Sequence, residues 1–280
     1  MRTVHELRHL AALVERGGVL VLSGAGLSTD SGIPDYRGPT GASRTGSPMT
    51  YRQFVDDEDA RRRYWARSHA GWQRIAEAEP NPGHLGVAAL EKVGYVMGVI
   101  TQNVDELHRA GGSKRVLDLH GVLSRTVCMG CGTLRSRLEL RHRLDAANPR
   151  RNLRARGFAA DGDAELGDGA EVGFVVVDCL ECGGILKPDV VFFGENVPRR
   201  RVDTAFEWLE DAASLVVLGS SLTVMSGYRF VLGARRRGIP VAIVNRGPTR
   251  GDGCASVRLE SGLSETLARL AEILVPVAAR

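Results

Sequence analysis

A glycine-rich turn directly after a short aliphatic run is the feature that most constrains the fold of this chain. The run Val19-Leu20-Val21-Leu22 leads into Gly24-Ala25-Gly26-Leu27-Ser28. A short aliphatic run that stops at Gly-x-Gly is typical of a buried strand entering a tight turn. Glycines there let backbone N–H groups approach a phosphate, and a helix beyond would favour its negative charge. Because the spacing is not Gly-x-Gly-x-x-Gly, a nucleotide-binding loop and an ordinary strand-to-loop turn both remain open.

Three further aliphatic runs end in small or polar residues in the same way. They cover residues 96–101, 215–218 and 241–244, and helical patterns at 198–212 and 228–237 separate them. Strands that alternate with helices predict a parallel α/β sheet with helices on both faces. In such sheets ligands bind beyond the carboxyl ends of the strands, so we expect the polar residues after the four runs to face one crevice.

Composition narrows the class of protein further. The 280 residues are 43% hydrophobic, which is enough for a sizeable core, and the net charge is only +4. This charge does not predict binding to nucleic acid, because a solvated basic face explains it equally well. No apolar run reaches the length of a membrane span and the N-terminal pattern is an amphipathic helix. We therefore expect a cytoplasmic protein without membrane contact, and a monomer.

Four of the five cysteines form two Cys-x-x-Cys pairs. These are Cys128 with Cys131 and Cys179 with Cys182, and glycine follows each pair. In a cytosolic chain such pairs favour a metal over disulfides, and four thiolates would close a tetrahedral shell around one structural zinc. A redox dithiol and free thiols remain the alternatives. Cys254 stands alone and is expected to be a small packing residue.

Between the cysteine pairs, the strand and helix alternation is lost. Residues 141–156 are basic, residues 161–171 are acidic and rich in glycine, and together they predict a long loop. The stretch 38–82 also departs from the alternation and is polar and helical in places.

Two histidines lie near the second predicted strand end. The segment Thr101-Gln102-Asn103-Val104-Asp105 offers two amides and a carboxylate, and it ends in Glu106-Leu107-His108. A lone histidine is more often a satisfied structural residue than a functional one. Because His120 lies between the predicted crevice and a cysteine pair, a functional role is favoured there. His108 is expected on a helix surface.

Taken together, these motifs resemble the sirtuins, the NAD-dependent protein deacylases. The resemblance covers residues 18 to about 274, and several stretches are closest to the class II, sirtuin-4-like branch. Those stretches are Arg63-Tyr64-Trp65-Ala66-Arg67, Pro80-Asn81-Pro82-Gly83-His84, Ser226-Gly227-Tyr228-Arg229-Phe230 and Gly247-Pro248-Thr249-Arg250. The family signatures are Gly-Ala-Gly-x-Ser, Asp35-Tyr36-Arg37, Thr-Gln-Asn-Val-Asp, Leu119-His120-Gly121, the four cysteines, Lys187-Pro188-Asp189-Val190-Val191-Phe192-Phe193-Gly194-Glu195, Gly219-Ser220-Ser221-Leu222 and Val244-Asn245.

The resemblance implies a Rossmann-like large domain and a small zinc-bearing domain, with NAD and acyl-lysine meeting between them. The large domain would take residues 1–37, 83–120 and 189–280. A helical module would cover 38–82 and a zinc-binding module 121–188.

The resemblance also implies which residues hold the cofactor. Gly24, Ala25, Gly26 and Ser28 would cradle the pyrophosphate, Asp35, Tyr36 and Arg37 would cover the cofactor, and Gln102 and Asn103 would hold the ribose and a water. Asp105 would accept a hydrogen bond from the nicotinamide carboxamide. The adenosine half would contact Gly219, Ser220, Ser221, Asn245, Arg246 and Gly247.

For the reaction, the resemblance implies that His120 acts as general base, with Asn103 and Asp105 as the other catalytic residues. The acyl oxygen would displace nicotinamide from the ribose, and His120 would draw a proton from the ribose hydroxyls so that the 2′-oxygen attacks the imidate. The products would be free lysine and acylated ADP-ribose. An extended substrate backbone would pair with Val191, Phe192, Phe193, Gly194 and Glu195.

Three questions stay open at this point. Tyr64 and Arg67 resemble a pair that accepts succinyl or malonyl groups, but a solvated helix face and other acyl groups fit as well. Mono-ADP-ribosyl transfer to a protein uses the same first step and is the alternative activity. A zinc-stapled binding module without enzymatic activity is a third reading.

Overall fold

A computed structural model describes the backbone of residues 2–36, 48–149, 153–159 and 162–276, and side chains from residue 5 onward. Arg37, predicted to cover the cofactor, lies outside these residues. The chain forms two compact units: the first takes in the described residues of 1–42, 79–119 and 197–280, and the second those of 43–78 and 120–196.

The helices and strands follow in chain order. They are α1 (Arg2–Glu15), β1 (Val19–Ser23), α2 (Tyr51–Asp56), α3 (Glu58–Ala76), α4 (Pro82–Lys92), β2 (Val96–Thr101), α5 (Leu107–Ala110), β3 (Val116–Asp118), β4 (Gly121–Cys128), β5 (Leu134–Ser136), α6 (Arg137–Ala147), β6 (Gly157–Phe158), β7 (Ala164–Glu165), β8 (Leu186–Val190), α7 (Arg199–Asp211), β9 (Ser214–Leu218), α8 (Met225–Arg237), β10 (Val241–Val244), β11 (Val257–Leu259) and α9 (Leu263–Leu274).

The first unit is built on a parallel sheet in the order β11-β10-β9-β1-β2-β3. Alternate residues of β1 point to opposite faces, so Val19 and Val21 join one core cluster while Leu20 and Leu22 join another. Helices α1, α4 and α9 supply the first cluster, and α7 and α8 the second. The predicted α/β class with helices on both faces is therefore confirmed.

The aliphatic runs located these strands closely. The predicted strands 96–101 and 241–244 coincide with β2 and β10, while β1 and β9 each gain one serine. Helix α8 begins at Met225, three residues before the predicted 228. Strands buried on both faces read as continuous aliphatic runs, which is why this part of the prediction succeeded.

The second unit combines an antiparallel sheet in the order β5-β4-β8 with the β6-β7 hairpin and helices α2, α3 and α6. Its core is a cluster that includes Phe54, Tyr64, Trp65, Leu140 and Phe192. Helix α3 begins cleanly because the Asp57 carboxylate accepts the backbone N–H groups of residues 59 and 60.

The long loop predicted between the two cysteine pairs is wrong in two places. Helix α6 covers Arg137–Ala147, and β6 pairs with β7 farther along. Ser136 caps α6 by accepting the Leu138 N–H, and Leu140 and Leu144, one turn apart, are both buried. The charged face of α6 hid this apolar stripe from a reading based on composition.

Within the described ranges, no helix combines the length and the apolar character needed to cross a membrane. Among the described residues the compact units change at 78/79, 119/120 and 196/197, whereas the predicted domain boundaries are 82/83, 120/121 and 188/189. The predicted assignment of a cofactor domain, a helical module and a zinc module stays a prediction.

Candidate active site and metal centre

Four adjacent strands of the first unit end at the same level. Ser23, the last residue of β1, is in register with Thr101 on one side and Leu218 on the other, and Leu218 is in register with Val244. The chain then leaves these strands through Gly24, Gln102, Gly219 and Asn245. Polar groups from four separate sequence motifs therefore meet at the carboxyl edge of one sheet, where α/β proteins bind ligands.

The glycines of the first turn are required by a second turn that packs on it. A Cβ added to Gly24 would lie 2.8 Å from Ser220 Cβ, and one added to Gly26 would lie 2.9 Å from Gly219 O. Gly26 N–H donates to that same carbonyl at 2.9 Å. The two loops are thus locked together, so glycine is needed here with or without a phosphate.

Beyond the first turn the chain forms two single turns of 3₁₀ helix, Ala25–Leu27 and Thr29–Ser31. A single turn aligns few peptide dipoles, so the electrostatic contribution of a helix N-terminus is small here.

Asn103 and Gln102 connect the sheet edge to both loops. Asn103 Nδ2 donates to Gly24 O at 3.1 Å and to Ser28 Oγ at 3.0 Å. Gln102 Nε2 donates to Ser220 Oγ at 2.8 Å. The two amides predicted to hold a ribose are therefore fixed in orientation by the loops predicted to hold the rest of the cofactor.

Asp105 is held by a hydroxyl and a backbone amide. Ser28 Oγ donates to Asp105 Oδ2 at 2.7 Å, and Leu107 N–H donates to Oδ1 at 3.0 Å. Burial raises the pKa of Asp105, while these two hydrogen bonds act against that rise. The result is a desolvated carboxyl group whose orientation is set before any ligand arrives.

Backbone strain is concentrated at the same edge. In the described residues, Glu106 (φ 63°) and Leu222 (φ 57°) are the non-glycine residues with positive φ. Glu106 follows Asp105, and the fully buried Leu222 follows the Gly219 loop. Unfavourable backbone conformations of this kind are often kept at binding sites.

The remaining residues predicted to bind the cofactor lie on loops of the first unit. Asp35 is buried and Tyr36 is exposed. Asn245 Nδ2 donates to Arg246 O at 2.9 Å and to Gly247 O at 3.0 Å, which makes a tight turn after β10. Ser221 Oγ shares a hydrogen bond of 3.0 Å with Thr223 Oγ1.

His108 is a core residue, so its predicted place on a helix surface is wrong. Its side chain is buried and its Nε2 lies 2.8 Å from Ser23 Oγ, which holds it under the end of β1. Burial lowers the pKa of His108 to about 3, and burial lowers that of the adjacent His84 to about 4. Both rings are therefore neutral at physiological pH.

Sequence reasoning also missed Asn81 and Gly227 as parts of the site's support. Asn81 Nδ2 donates to Leu27 O at 2.8 Å and to Ser31 Oγ at 3.0 Å. A Cβ on Gly227 would lie 2.6 Å from Gln102 Oε1. Asn81 followed by Pro82, the first residue of α4, indicates a helix cap, but nothing local indicates that the cap also braces a loop 50 residues away in sequence.

The second unit contains His120, the predicted general base. It lies half-buried in the turn between β3 and β4, and its backbone oxygen accepts Val191 N–H at 2.8 Å. His120 is thus tied directly to the start of the segment predicted to bind substrate.

That segment, residues 191–195, is itself firmly held. Phe192 is buried against Phe54 and Tyr64, with ring centroids 5.0 Å and 5.2 Å away. Phe193 O accepts Tyr51 N–H at 2.9 Å. Glu195 N–H donates to Phe192 O at 3.0 Å, and Gly194 in the resulting turn has φ 79°.

Tyr64 and Arg67 lie one turn apart on α3 but in different surroundings. Tyr64 is 3% exposed and packs in the aromatic cluster. The alternative that Tyr64 lies on a solvated face of the helix therefore does not apply. Arg67 Nε donates to Ala164 O at 3.0 Å, on β7.

The two cysteine pairs come together. The ligand atoms of Cys128, Cys131, Cys179 and Cys182 all lie within 4.8 Å of one another. The Sγ atoms of 128 and 182 are 3.4 Å apart and those of 131 and 179 are 3.8 Å apart. A tetrahedral zinc with Zn–S bonds of about 2.3 Å places its sulfurs roughly 3.8 Å apart, so the donor set fits a closed, structural site.

Equivalent glycines shape the two metal-binding turns. Gly132 and Gly183 have φ values of 73° and 70°, and the N–H of each donates to the backbone oxygen of the first cysteine of its pair. Hydrogen bonds with Thr133 lower the pKa of Cys131 to about 6. The hydrogen bond with Cys128 raises the pKa of Cys182 to about 12. A dication would remove this difference in pKa between Cys131 and Cys182, because it would bind all four cysteines as thiolates.

Comparison with known proteins identifies the class. Residues 24–226 match the model of the Sir2 family. NAD-dependent protein deacetylase 1 of Streptomyces coelicolor is 55% identical over 269 residues, which cover 96% of this chain and 90% of the relative. NAD-dependent protein deacetylase 1 of Mycobacterium avium is 50% identical, with 97% of each chain covered.

Comparison with solved structures points to the same family. A structure described as "Structural Basis for the Mechanism and Regulation of Sir2 Enzymes" has a TM-score of 0.77 at 30% identity and covers 96% of this chain and 98% of its own. Another, "Sir2-p53 peptide-NAD+", has a TM-score of 0.75 at 29% identity, covering 95% and 98%. The chain belongs to the Sir2 family, which confirms the sirtuin resemblance, while its class II, sirtuin-4-like subtype stays a prediction.

Proposed function

We propose that this chain is an NAD-dependent protein-lysine deacylase. The proposal rests on the hydrogen-bonded group Ser28, Asn103 and Asp105, which lies where the parallel strands end at the same level. It occurs in a chain that is about half identical to proteins named NAD-dependent protein deacetylases. Nothing favours ADP-ribosyl transfer to protein as the main activity.

In this proposal the first unit binds NAD. The interlocked turns at Gly24–Gly26 and Gly219 surround the pyrophosphate, and the oriented amides of Gln102 and Asn103 hold the ribose. Asp105 accepts from the nicotinamide carboxamide. When bound, NAD supplies an electrophilic ribose carbon with nicotinamide as its leaving group. Fixed donors and acceptors contribute because they need no reorganisation during the reaction.

The other cofactor contacts come from the turns that follow β9 and β10 and from residues 35–37. We assign the adenosine half to Ser220, Ser221 and the turn at Asn245-Arg246-Gly247. We assign Ala25 to the pyrophosphate with the rest of the first turn, and the cover over the cofactor to the segment Asp35-Tyr36-Arg37, of which Arg37 lies outside the described residues.

The second unit supplies His120 as general base. A histidine suits this role because its ordinary pKa lies near neutral pH. The hydrogen bond from Val191 N–H to His120 O supports the role, since it ties the base to the segment assigned to the acyl-lysine peptide. That segment carries Val191, Phe192, Phe193, Gly194 and Glu195.

Zinc at the four cysteines holds the far end of the same sheet. Strand β4 starts beside His120 and ends at Cys128, and β8 runs back from the second cysteine pair to Val190, paired with Gly121. The metal has no open coordination position in a four-thiolate site, so it stabilises and does not react.

The proposal also covers the acyl group that is removed, the cellular compartment and the oligomeric state. Arg67 is assigned to a carboxylate-bearing acyl chain, because its Nε is anchored on Ala164 O and a guanidinium held at one edge is well suited to a carboxylate. Tyr64 supports it from the aromatic cluster. We propose a reducing, cytoplasmic compartment, because Cys-x-x-Cys pairs that serve as metal ligands are typical of such a compartment. We also propose a monomer, which light scattering tests directly.

The function is tested with acyl-lysine peptides, NAD and quantitation of nicotinamide. We expect nicotinamide release and peptide deacylation in equal amounts, both dependent on NAD. Parallel reactions without NAD and with the His120→Ala variant serve as controls. Deacylation that proceeds without NAD, or no deacylation of acetyl, succinyl, glutaryl or lipoyl peptides, would contradict the proposal.

A further inference from the structure

Lys187 and Glu195 form a nearly buried ion pair that closes the turn assigned to the substrate. Lys187 Nζ lies 3.2 Å from Glu195 Oε2, and the two side chains are 8% and 22% exposed. Lys187 Nζ also donates to Val190 O and sits 5.1 Å from the centre of the Phe192 ring. Glu195 Oε2 in turn accepts Phe192 N–H at 2.9 Å.

These contacts hold the backbone of the turn on both sides of Val191. The lysine holds the carbonyl of Val190, and the glutamate holds the amide of Phe192. Between them, Val191 N–H is directed to His120 O at 2.8 Å. The ion pair therefore fixes the residues on either side of the hydrogen bond that ties the predicted general base to the substrate segment.

The choice of lysine at this position has a physical reason. The chain has 37 lysines and arginines, of which Lys92, Lys114 and Lys187 are the lysines. A compact ammonium can donate to a carboxylate and a carbonyl while lying over an aromatic ring, whereas the planar guanidinium needs a wider space. A charge buried to this degree is retained only when its partners are in place.

We propose that Lys187 and Glu195 are a positioning pair that sets the conformation of residues 190–195 and, through Val191, the position of His120. The Glu195 carboxylate then acts within the protein, while the Glu195 backbone stays part of the segment assigned to the peptide. The inference rests on the proposed function for its kinetic consequences, but its structural consequence stands alone.

The kinetic test uses Glu195→Ala, Glu195→Gln, Lys187→Met and the double variant Lys187→Met/Glu195→Leu. We expect KM for the acyl peptide to rise on the order of tenfold in Glu195→Ala and Lys187→Met, with KM for NAD within about twofold of wild type. Glu195→Gln keeps an oxygen acceptor for Phe192 N–H and should recover most of the loss. In the double variant the two effects should not add, because each single change breaks the same pair.

Arg125→Met is the matched control. Arg125 on β4 pairs with Asp189 on β8, the strand that also carries Lys187, at 2.8 Å, but the Arg125 side chain is 48% exposed. A surface pair contributes little, so this variant should keep wild-type KM values. A peptide KM that is unchanged in Glu195→Ala would overturn the proposal, as would additive effects or an equal rise in KM for NAD.

Amide hydrogen exchange separates this inference from the proposed function. In wild-type protein the Val191 and Phe192 amides should be protected, and in Glu195→Ala both should exchange at least about tenfold faster while amides of β1 stay unchanged. This result is expected even if no acyl peptide is turned over, in which case the proposed function alone fails. Unchanged protection of both amides in Glu195→Ala and Lys187→Met would refute the pair, and zinc content checks that each variant is folded.

Discussion

Ser28 and Asp105 are joined by a hydrogen bond of 2.7 Å although 77 residues separate them in the chain. Ser28 Oγ also accepts from Asn103 Nδ2, so one hydroxyl links the glycine turn after β1 to the amide and the carboxylate after β2. The link holds donors and acceptors of the proposed cofactor site in place without any ligand.

Removing this hydroxyl should weaken NAD binding. In Ser28→Ala, Asn103 and the desolvated Asp105 each lose a partner, which costs about 1–3 kcal/mol. We expect Kd for NAD, measured by calorimetry, to rise about tenfold or more. Ser256→Ala is the control, because Ser256 Oγ bonds Val241 O at the opposite end of β10. Equal Kd values for Ser28→Ala and wild type would show that the link does not prepare the site.

The general base should be separable from cofactor binding. We expect His120→Ala to lower kcat for deacylation by about 10²–10⁴-fold, the usual contribution of a positioned base, with little change in Kd for NAD. Rapid-quench kinetics and calorimetry measure the two quantities. A variant that turns over at the wild-type rate would remove His120 from the reaction.

Zinc should be needed for the fold of the second unit. We expect about one zinc per chain, and we expect Cys179→Ser to lose the metal and melt well below wild type, since structural zinc contributes on the order of 10 kcal/mol. Cys254→Ser should keep both the metal and the melting temperature, because Cys254 is far from the four thiols in sequence and bonds none of them. Metal analysis that finds less than about half an equivalent in wild type would reject the site.

The buried histidines predict how stability depends on pH. Their pKa values fall from 6.5 to about 4 for His84 and about 3 for His108, so the unfolded chain binds more protons below pH 6.5. Their contribution is complete above pH 6.5 and is lost as pH falls toward 3, by up to about 1.4 kcal/mol per pH unit for each histidine. The raised pKa of Asp105 acts in the opposite direction.

Urea unfolding at pH 7 and pH 5 measures this effect. His108→Gln should be less stable than wild type at pH 7 and should lose less stability between the two pH values. His9→Gln, at an exposed histidine, should follow the wild-type curve. A wild-type protein that is as stable at pH 5 as at pH 7 would contradict the buried, neutral state of the pair.

Arg67 should control acyl preference if it receives a carboxylate. We expect Arg67→Met to lower kcat/KM for succinyl and glutaryl peptides by about tenfold while acetyl peptides change little, because only the acidic chains lose a charged hydrogen bond. An equal loss for all acyl groups would instead assign Arg67 to holding β7 through Ala164 O. A wild-type preference for acetyl peptides would also defeat the acidic-acyl proposal.

The sequence located the strands and the cysteine cluster because both depend on local patterns. Aliphatic runs define buried parallel strands, and Cys-x-x-Cys followed by glycine defines a metal-binding turn. The reason why Gly24 and Gly26 are glycine was not readable, since Gly219, which packs on them, is almost 200 residues away. His108 was misplaced for the same reason, because its partner Ser23 is 85 residues away.

Helix α6 and the Lys187–Glu195 pair show two other limits of predicting structure from this sequence. The buried leucines of α6 are outnumbered by charged residues, so composition pointed to a loop. The family motif that ends at Glu195 predicts backbone pairing with a substrate, and it gives no sign that the Glu195 carboxylate accepts from Lys187 and from Phe192 N–H. Side-chain partners formed by the folded chain decide such cases, and a motif does not reveal them.

The most direct test of the account is the fate of the acyl group. A peptide acylated with ¹³C-labelled acetate or succinate is incubated with the protein and NAD, and the products are identified by mass spectrometry. We predict one labelled O-acyl-ADP-ribose for each nicotinamide released and each lysine freed. Label recovered only as the free carboxylic acid, or ADP-ribose attached to protein with the acyl-lysine intact, would contradict an acyl transfer to NAD-derived ribose.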